Sequence, residues 1–138
     1  MWPFSKKHEE SVSVNVKQLR ATLAALKQRE PLEPKRQINS DFLFCSDIEG
    51  RSNFGIDPSP HSNVWYISFR NKNGTKEYIE DTNHFSRKRE FSSAENARTA
   101  LDWAMYFRLL GEHRKKVEVF ETAIWKATAK SEEYRYGD

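Results

Sequence analysis

The stretch Val64-Trp65-Tyr66-Ile67-Ser68-Phe69-Arg70, with Asn73-Gly74 close behind it, decides the fold of this chain. β-Branched and aromatic residues in such a run are typical of a strand, because their side chains cover a pleated surface well. Asn-Gly is the favoured pair for a two-residue type I′ turn, since both positions of that turn need a positive φ. The stretch therefore predicts a β-hairpin that turns at Asn73-Gly74.

A two-residue turn also sets the register of this hairpin. It places Phe69 opposite Tyr78 and Arg70 opposite Glu77, and the second pair is expected to form a cross-strand ion pair. Because side chains alternate between the two faces of a strand, one face of the hairpin is expected to point to the core. The residues on this core side are Trp65, Ile67, Phe69 and Tyr78.

The segments beside the hairpin extend the predicted sheet. Residues 38–46 and 84–91 are each interpreted as a further strand. Residues 47–63 are dense in Gly, Pro, Ser, Asn and Asp, which are the residues of turns and irregular loops. We therefore expect a long loop over 47–63, and loops of this length are usually either functional or disordered.

A helix is predicted in the N-terminal part of the chain. Asn15 is the expected N-cap, and Gln18 stands three residues later, as in a capping box. Pro31 ends the pattern. Packing on the sheet is the favoured interpretation of the helix, and pairing with a second helix is the alternative. Its apolar stripe consists of Val16, Leu19, Leu23 and Leu26.

A second helix is predicted from Ser92, which serves as N-cap with Glu95 completing a capping box, to Gly111, which serves as its stop. Residues 114–128 fit either a helix or a strand, and we favour the helix. The whole chain of 138 residues is expected to form one domain, with frayed ends at 1–10 and 131–138. The expected fold class is α+β, with a three- or four-stranded antiparallel sheet and two or three helices packed on one face.

Composition restricts the function classes. The net charge is only +3, and 37% of the residues are apolar. We expect no membrane partner, because no stretch approaches the ~20 consecutive apolar residues that cross a bilayer. Cys45 is the single cysteine, which points to a reducing compartment and hence to a cytoplasmic protein.

Catalytic and metal-binding motifs are missing from the sequence. The four histidines lack ligand spacing, and the chain holds no nucleophile motif or phosphate-binding glycine loop. Asp47, Glu49 and Asp57 do not follow the pattern of a calcium loop, and we interpret them as solvated loop carboxylates. We therefore expect a protein without enzymatic activity, metal or cofactor.

The favoured function is that of a small protein-binding module, such as an inhibitor, an immunity-type protein or an adaptor. The long loop is the expected binding surface, and homodimer formation is left open. The alternative for Phe54 and Ile56, the two apolar residues of this set, is that they hold the loop on the core. The proposed contact residues are Asp47, Glu49, Phe54, Ile56 and Asp57.

Nucleic-acid binding is the alternative function. Basic residues cluster at the hairpin tip and in a run just before the second helix, and Tyr66 offers a ring for stacking. Acidic residues interleave with these basic residues, which counts against the interpretation because each neutralised phosphate needs an unpaired cation. The candidate residues are Arg70, Lys72, Lys76, Arg87, Lys88 and Arg89.

Overall fold

The computed structural model describes residues 4–38 and 40–136, with side chains described for 15–38 and 40–129. The chain forms two compact units. The sheet unit comprises Leu32–Leu109, and the helical unit comprises the residues up to Pro31 and from Leu110 onward. The expectation of one domain and of frayed ends at 1–10 and 131–138 stays a prediction. Residues 1–3, 137 and 138 of those ends lie outside the described part.

The sheet unit confirms the α+β fold class. It contains an antiparallel sheet in the order β1-β2-β3, a two-stranded antiparallel sheet of β4 and β5, a short helix α2 and the first part of a long helix α3. The bounds are α2 Cys45–Ile48, β1 Ser52–Pro58, β2 Trp65–Arg70, β3 Lys76–Tyr78, β4 Glu80–Asp81, β5 His84–Lys88 and α3 Ala94–Tyr136.

The predicted hairpin is present, but its register differs by one residue. Tyr78 pairs with Ser68, and Lys76 pairs with Arg70. The prediction of a two-residue turn is wrong. A type I′ turn needs a positive φ at both Asn73 and Gly74, but of these two residues only Gly74 has one, at 79°. Residues 72–74 instead form a three-residue loop with glycine at the left-handed position. One residue of slip moves every side chain of β3 to the other face.

The core of the sheet unit lies between β2 and the first part of α3. Ile67 and Phe69 are buried on one face of β2, as predicted, and small alanines of α3 let the helix approach that face closely. Ile79 joins the core in place of Tyr78. Its N–H donates to the Ile67 carbonyl at 2.9 Å, and its carbonyl accepts from the Arg89 N–H at 2.8 Å. Ile79 thereby links the two sheets.

Residues 38–63 depart most from the sequence-based expectation. The strand predicted over 38–46 is wrong, because the edge of β2 is occupied by β1, and residues 40–44 are irregular before α2 begins. The loop predicted over 47–63 is also wrong over Ser52–Pro58, which is β1. The turn-forming residues of this segment lie where a strand tolerates them: at a bulge between Ser52 and Gly55, and at Pro58, the last position of an edge strand.

Helix α3 begins one residue later than predicted and ends much later. Ser93 is the N-cap, since its hydroxyl accepts from the Asn96 N–H at 3.0 Å, whereas Ser92 donates its hydroxyl to Asp41 at 2.6 Å. Gly111 does not end the helix, because its φ is not positive and half-buried residues recur at helical spacing beyond it. Residues 114–128 are therefore helical, the favoured of the two interpretations.

The helical unit contains α1, Phe4–Gln28, and the second part of α3. The predicted stripe of α1 is half-buried while the other described residues of 15–28 are exposed. Asn15 is not its N-cap, because α1 begins at Phe4 and no glycine or proline interrupts residues 4–14. Lys27 forms an ion pair with Glu121 of α3 at 3.4 Å, so the alternative of helix pairing holds for α1.

Candidate functional site

One face of the β1-β2-β3 sheet, opposite the buried Ile67 and Phe69, is polar and aromatic. Alternation along the strands places Tyr66 and Arg70 of β2 on this side with their cross-strand neighbours. Lys88 of β5 joins them through contacts with both tyrosine rings. We call this surface the polar face, and it consists of Asp57, Tyr66, Arg70, Lys76, Tyr78 and Lys88.

Two small residues in the middle of the sheet shape the polar face. Gly55 of β1 pairs with Ser68 of β2, and a Cβ on Gly55 would come within 2.8 Å of the Ser68 hydroxyl. Tyr78 pairs with Ser68 from the other side. Its hydroxyl donates to Oδ2 of Asp57, on β1, at 3.0 Å. Because the residues at the centre of this face are small, side chains of β3 extend across β2 and contact β1.

Asp57 is the electrostatic centre of this face. Lys76 forms an ion pair with the same carboxylate oxygen that accepts from Tyr78. The bond from Lys76 lowers the pKa of Asp57; burial opposes this, and the Tyr78 bond and the charge of Lys88 add to it. The pKa of Lys76 is raised in return, mainly by its bond to Asp57. Both groups are thus charged across the neutral pH range.

Lys88 lies over the aromatic pair on the polar face. Its Nζ is 4.1 Å from the ring centroid of Tyr78 and 5.1 Å from that of Tyr66. The two rings meet edge to face, with centroids 5.9 Å apart. A cation over the negative face of an aromatic ring is stabilised electrostatically while its charge stays accessible. Lys88 is therefore held over the two rings, and its charge also acts on the Asp57 carboxylate.

The six basic residues predicted for a nucleic-acid site divide into three kinds. Arg70, Lys76 and Lys88 belong to the polar face. Lys72 and Arg87 are exposed in the hairpin loop and on β5. Arg89 serves the fold instead, since its guanidinium donates to the Phe42 carbonyl at 2.6 Å and to the Thr82 hydroxyl at 3.2 Å.

The residues predicted for a protein partner are dispersed. Phe54 and Ile56 pack against the core, as the alternative for these side chains held. Asp47 accepts from the Phe44 N–H at 2.9 Å and so caps α2, whereas Glu49 is exposed just after that helix. Asp57 lies on the polar face. A partner role for these five residues stays a prediction.

A pair of phenylalanines was missed from the sequence. Phe42 and Phe44 are 40% and 52% exposed, and their rings meet edge to face with centroids 5.2 Å apart. Leu43 between them is buried. The signal in the sequence is the apolar run within 38–46, which we interpret from the sequence as a strand. Cys45, expected in that strand, is exposed at the start of α2.

The described residues contain neither a cluster of potential metal ligands nor a helix that could span a membrane. Within the part of the chain that the structure describes, no three His, Cys, Asp or Glu residues come together as metal ligands would. No helix in the same part is long and apolar enough to span a bilayer. Comparison of the chain with protein-family models, with curated proteins and with solved structures found no match.

Proposed function

We propose that the protein binds nucleic acid through the polar face, with the exposed cations Lys72 and Arg87 as further contacts. The observation that carries this proposal is the grouping of Arg70, Lys76 and Lys88 with two tyrosines on one side of the sheet. Cations interspersed with aromatic rings match the phosphates and bases of a nucleic-acid strand.

The charge balance of the site supports the proposal. Acidic residues interleave with the basic ones along the sequence, yet among the described residues only Lys76 of the six candidates forms an ion pair. Glu77 lies opposite Phe69, away from the polar face, and Glu80 lies opposite Lys88 without an ion pair to it. Several cations are therefore able to release counterions from phosphate.

Fluorescence anisotropy with a labelled oligonucleotide tests the proposal, with the salt concentration as the variable. We expect the association constant to fall linearly on logarithmic axes, with a slope of about −2 to −4 for the three or four cations engaged. Lys88→Glu should abolish most of the binding. Lys115→Glu changes the net charge equally at an exposed position of the helical unit and should bind almost as wild type. Equal losses in both variants, or no binding by wild type, would reject the polar face.

A protein partner is the second candidate function. The exposed Phe42–Phe44 pair favours it, because aromatic side chains with accessible surface are the usual anchors of protein interfaces. The exposed carboxylate of Glu49 follows α2 on the same segment. This candidate moves the anchors of the interface from Phe54 and Ile56 to the segment just before α2, and keeps the protein non-enzymatic.

A pull-down from nuclease-treated lysate tests this candidate. A protein captured in stoichiometric amount by wild type should be lost with Phe44→Ala. Phe85→Ala is the matched control, since Phe85 is also an exposed phenylalanine, at 79%, but lies on β5. Capture that survives Phe44→Ala would exclude the phenylalanine pair as the anchor.

A further inference from the structure

We infer that Asp57 is a built-in competitor of nucleic-acid phosphate: it occupies Lys76 in the free protein and restrains the affinity of the polar face. The inference rests on the proposed function and deepens it, because it names the residue that sets how tightly the site binds. Asp57 forms an ion pair with a lysine of the polar face, whereas no ion pair is seen among the described residues for Glu80, which lies opposite Lys88 on β4.

The geometry places Asp57 where a phosphate oxygen would otherwise lie. Its Oδ2 receives both the ammonium group of Lys76 and the hydroxyl of Tyr78, at 3.0 Å for the latter. Lys88 stands 4.1 Å from the centroid of the Tyr78 ring that makes this bond. One carboxylate oxygen thus collects a cation and a hydroxyl donor, the groups that bind a phosphate oxygen in many sites.

The ion pair can be exchanged because it remains in contact with water. The side chains of Lys76 and Asp57 keep 43% and 31% of their surface accessible. Pairs with this exposure contribute little to folding, since water screens them and both side chains lose entropy. A phosphate that reaches Lys76 replaces one anion by another, so the net gain from this contact is smaller than from a free lysine.

Asp57→Asn is the variant that isolates this effect. The amide keeps the size of the side chain and an oxygen that accepts from Tyr78, and it removes the charge that holds Lys76. Glu77→Gln is the matched control. It changes the net charge by the same amount on β3, next to Lys76 in the chain, but at a position opposite Phe69, away from the polar face.

Oligonucleotide binding should distinguish the two variants. We expect Asp57→Asn to bind about threefold or more tightly than wild type at 50 mM salt, because one more phosphate contact becomes effective. The advantage should shrink about threefold between 50 and 200 mM salt, as release of one extra counterion requires. Glu77→Gln should remain close to wild type, and adding Lys76→Ala to Asp57→Asn should cancel the gain.

Each other outcome has a definite meaning. If Asp57→Asn and Glu77→Gln raise the affinity for the oligonucleotide equally, the effect comes from net charge alone and the inference is overturned, although the protein would still bind nucleic acid. Weaker binding by Asp57→Asn, with an unchanged melting temperature, would overturn it too and make Asp57 a positioning residue for Lys76. Absence of binding by wild type would reject the proposed function itself.

Discussion

The hydroxyl of Tyr78 donates to the Asp57 carboxylate at 3.0 Å and thereby connects β3 to β1 across the intervening strand. Residues on non-adjacent strands rarely meet, because each strand adds about 4.8 Å of separation. They meet in this sheet because Gly55 and Ser68, at the centre of the polar face, are too small to separate them. The same carboxylate holds Lys76, so one residue ties together the charges of the site.

Stability should depend on pH through Asp57. Its pKa is lowered in the folded protein, chiefly by the bond from Lys76, so its stabilising contribution is present above the unfolded pKa of about 3.9 and is lost as the pH falls through the folded value. The difference in free energy of unfolding between wild type and Asp57→Asn should therefore be larger at pH 7 than at pH 3, by the small amount that a water-exposed pair contributes. Urea unfolding at both pH values measures it. A difference that is equal at the two values would contradict the ion pair.

Ile56 should matter for stability, because it pairs with Ile67 and packs against the core. Ile56→Ala is expected to lower the free energy of unfolding by about 1–3 kcal/mol, somewhat below the cost at a fully buried isoleucine. Phe85→Ala removes a larger but exposed side chain and should change it by less than about 0.5 kcal/mol. Chemical denaturation compares the two. If Ile56→Ala is as stable as wild type, Ile56 does not pack against the core and is again a candidate contact residue for a protein partner.

Two glycines should respond oppositely to alanine. Gly74 has a φ of 79°, so Gly74→Ala places a Cβ in the left-handed region and should destabilise the protein by about 1–2 kcal/mol. Gly111 is inside α3, and a Cβ added there would meet open space, so Gly111→Ala should stabilise by about 0.5–1 kcal/mol. Thermal unfolding of both variants checks the three-residue loop and the continuous helix together. A stabilising Gly74→Ala would refute the loop.

The neighbouring residues Arg87 and Arg89 should separate binding from folding. Arg89 holds the Phe42 carbonyl and the Thr82 hydroxyl, so Arg89→Ala should cost about 1 kcal/mol of stability. Arg87→Ala should leave stability unchanged and reduce the salt slope of nucleic-acid binding by about 0.7–0.9. Denaturation and anisotropy titrations on both variants measure these effects. The reverse assignment of the two effects would show that Arg87 is structural and Arg89 binds.

Periodic patterns were interpreted correctly where a single element explains them. The stripe from Val16 to Leu26 and the strand from Trp65 to Arg70 depend on the geometry of one helix or one strand, and both lie where the sequence places them. Local sequence signals led to wrong predictions where the same residues are compatible with two different structures. Asn73-Gly74 suits both a two-residue and a three-residue loop, and Gly111 is tolerated inside a long helix as well as at its end.

The candidate site was predictable only in part. Its basic residues were identified, but Tyr78 was assigned to the core, and Asp57 to a loop. Both errors come from pairing, because the register of β3 decides which face Tyr78 occupies, and the ladder with β2 makes residues 52–58 a strand.

By itself, the sequence determined the α+β class, the apolar stripe of α1 and the central strand, because these follow from the period of each element along the chain. Only the tertiary structure decided the hairpin register, the strand at 52–58 and the meeting of Asp57, Lys76 and Tyr78 on one face. Those features depend on hydrogen bonds and side-chain contacts between residues far apart in the chain, and no local pattern encodes which of several compatible pairings buries the most apolar surface.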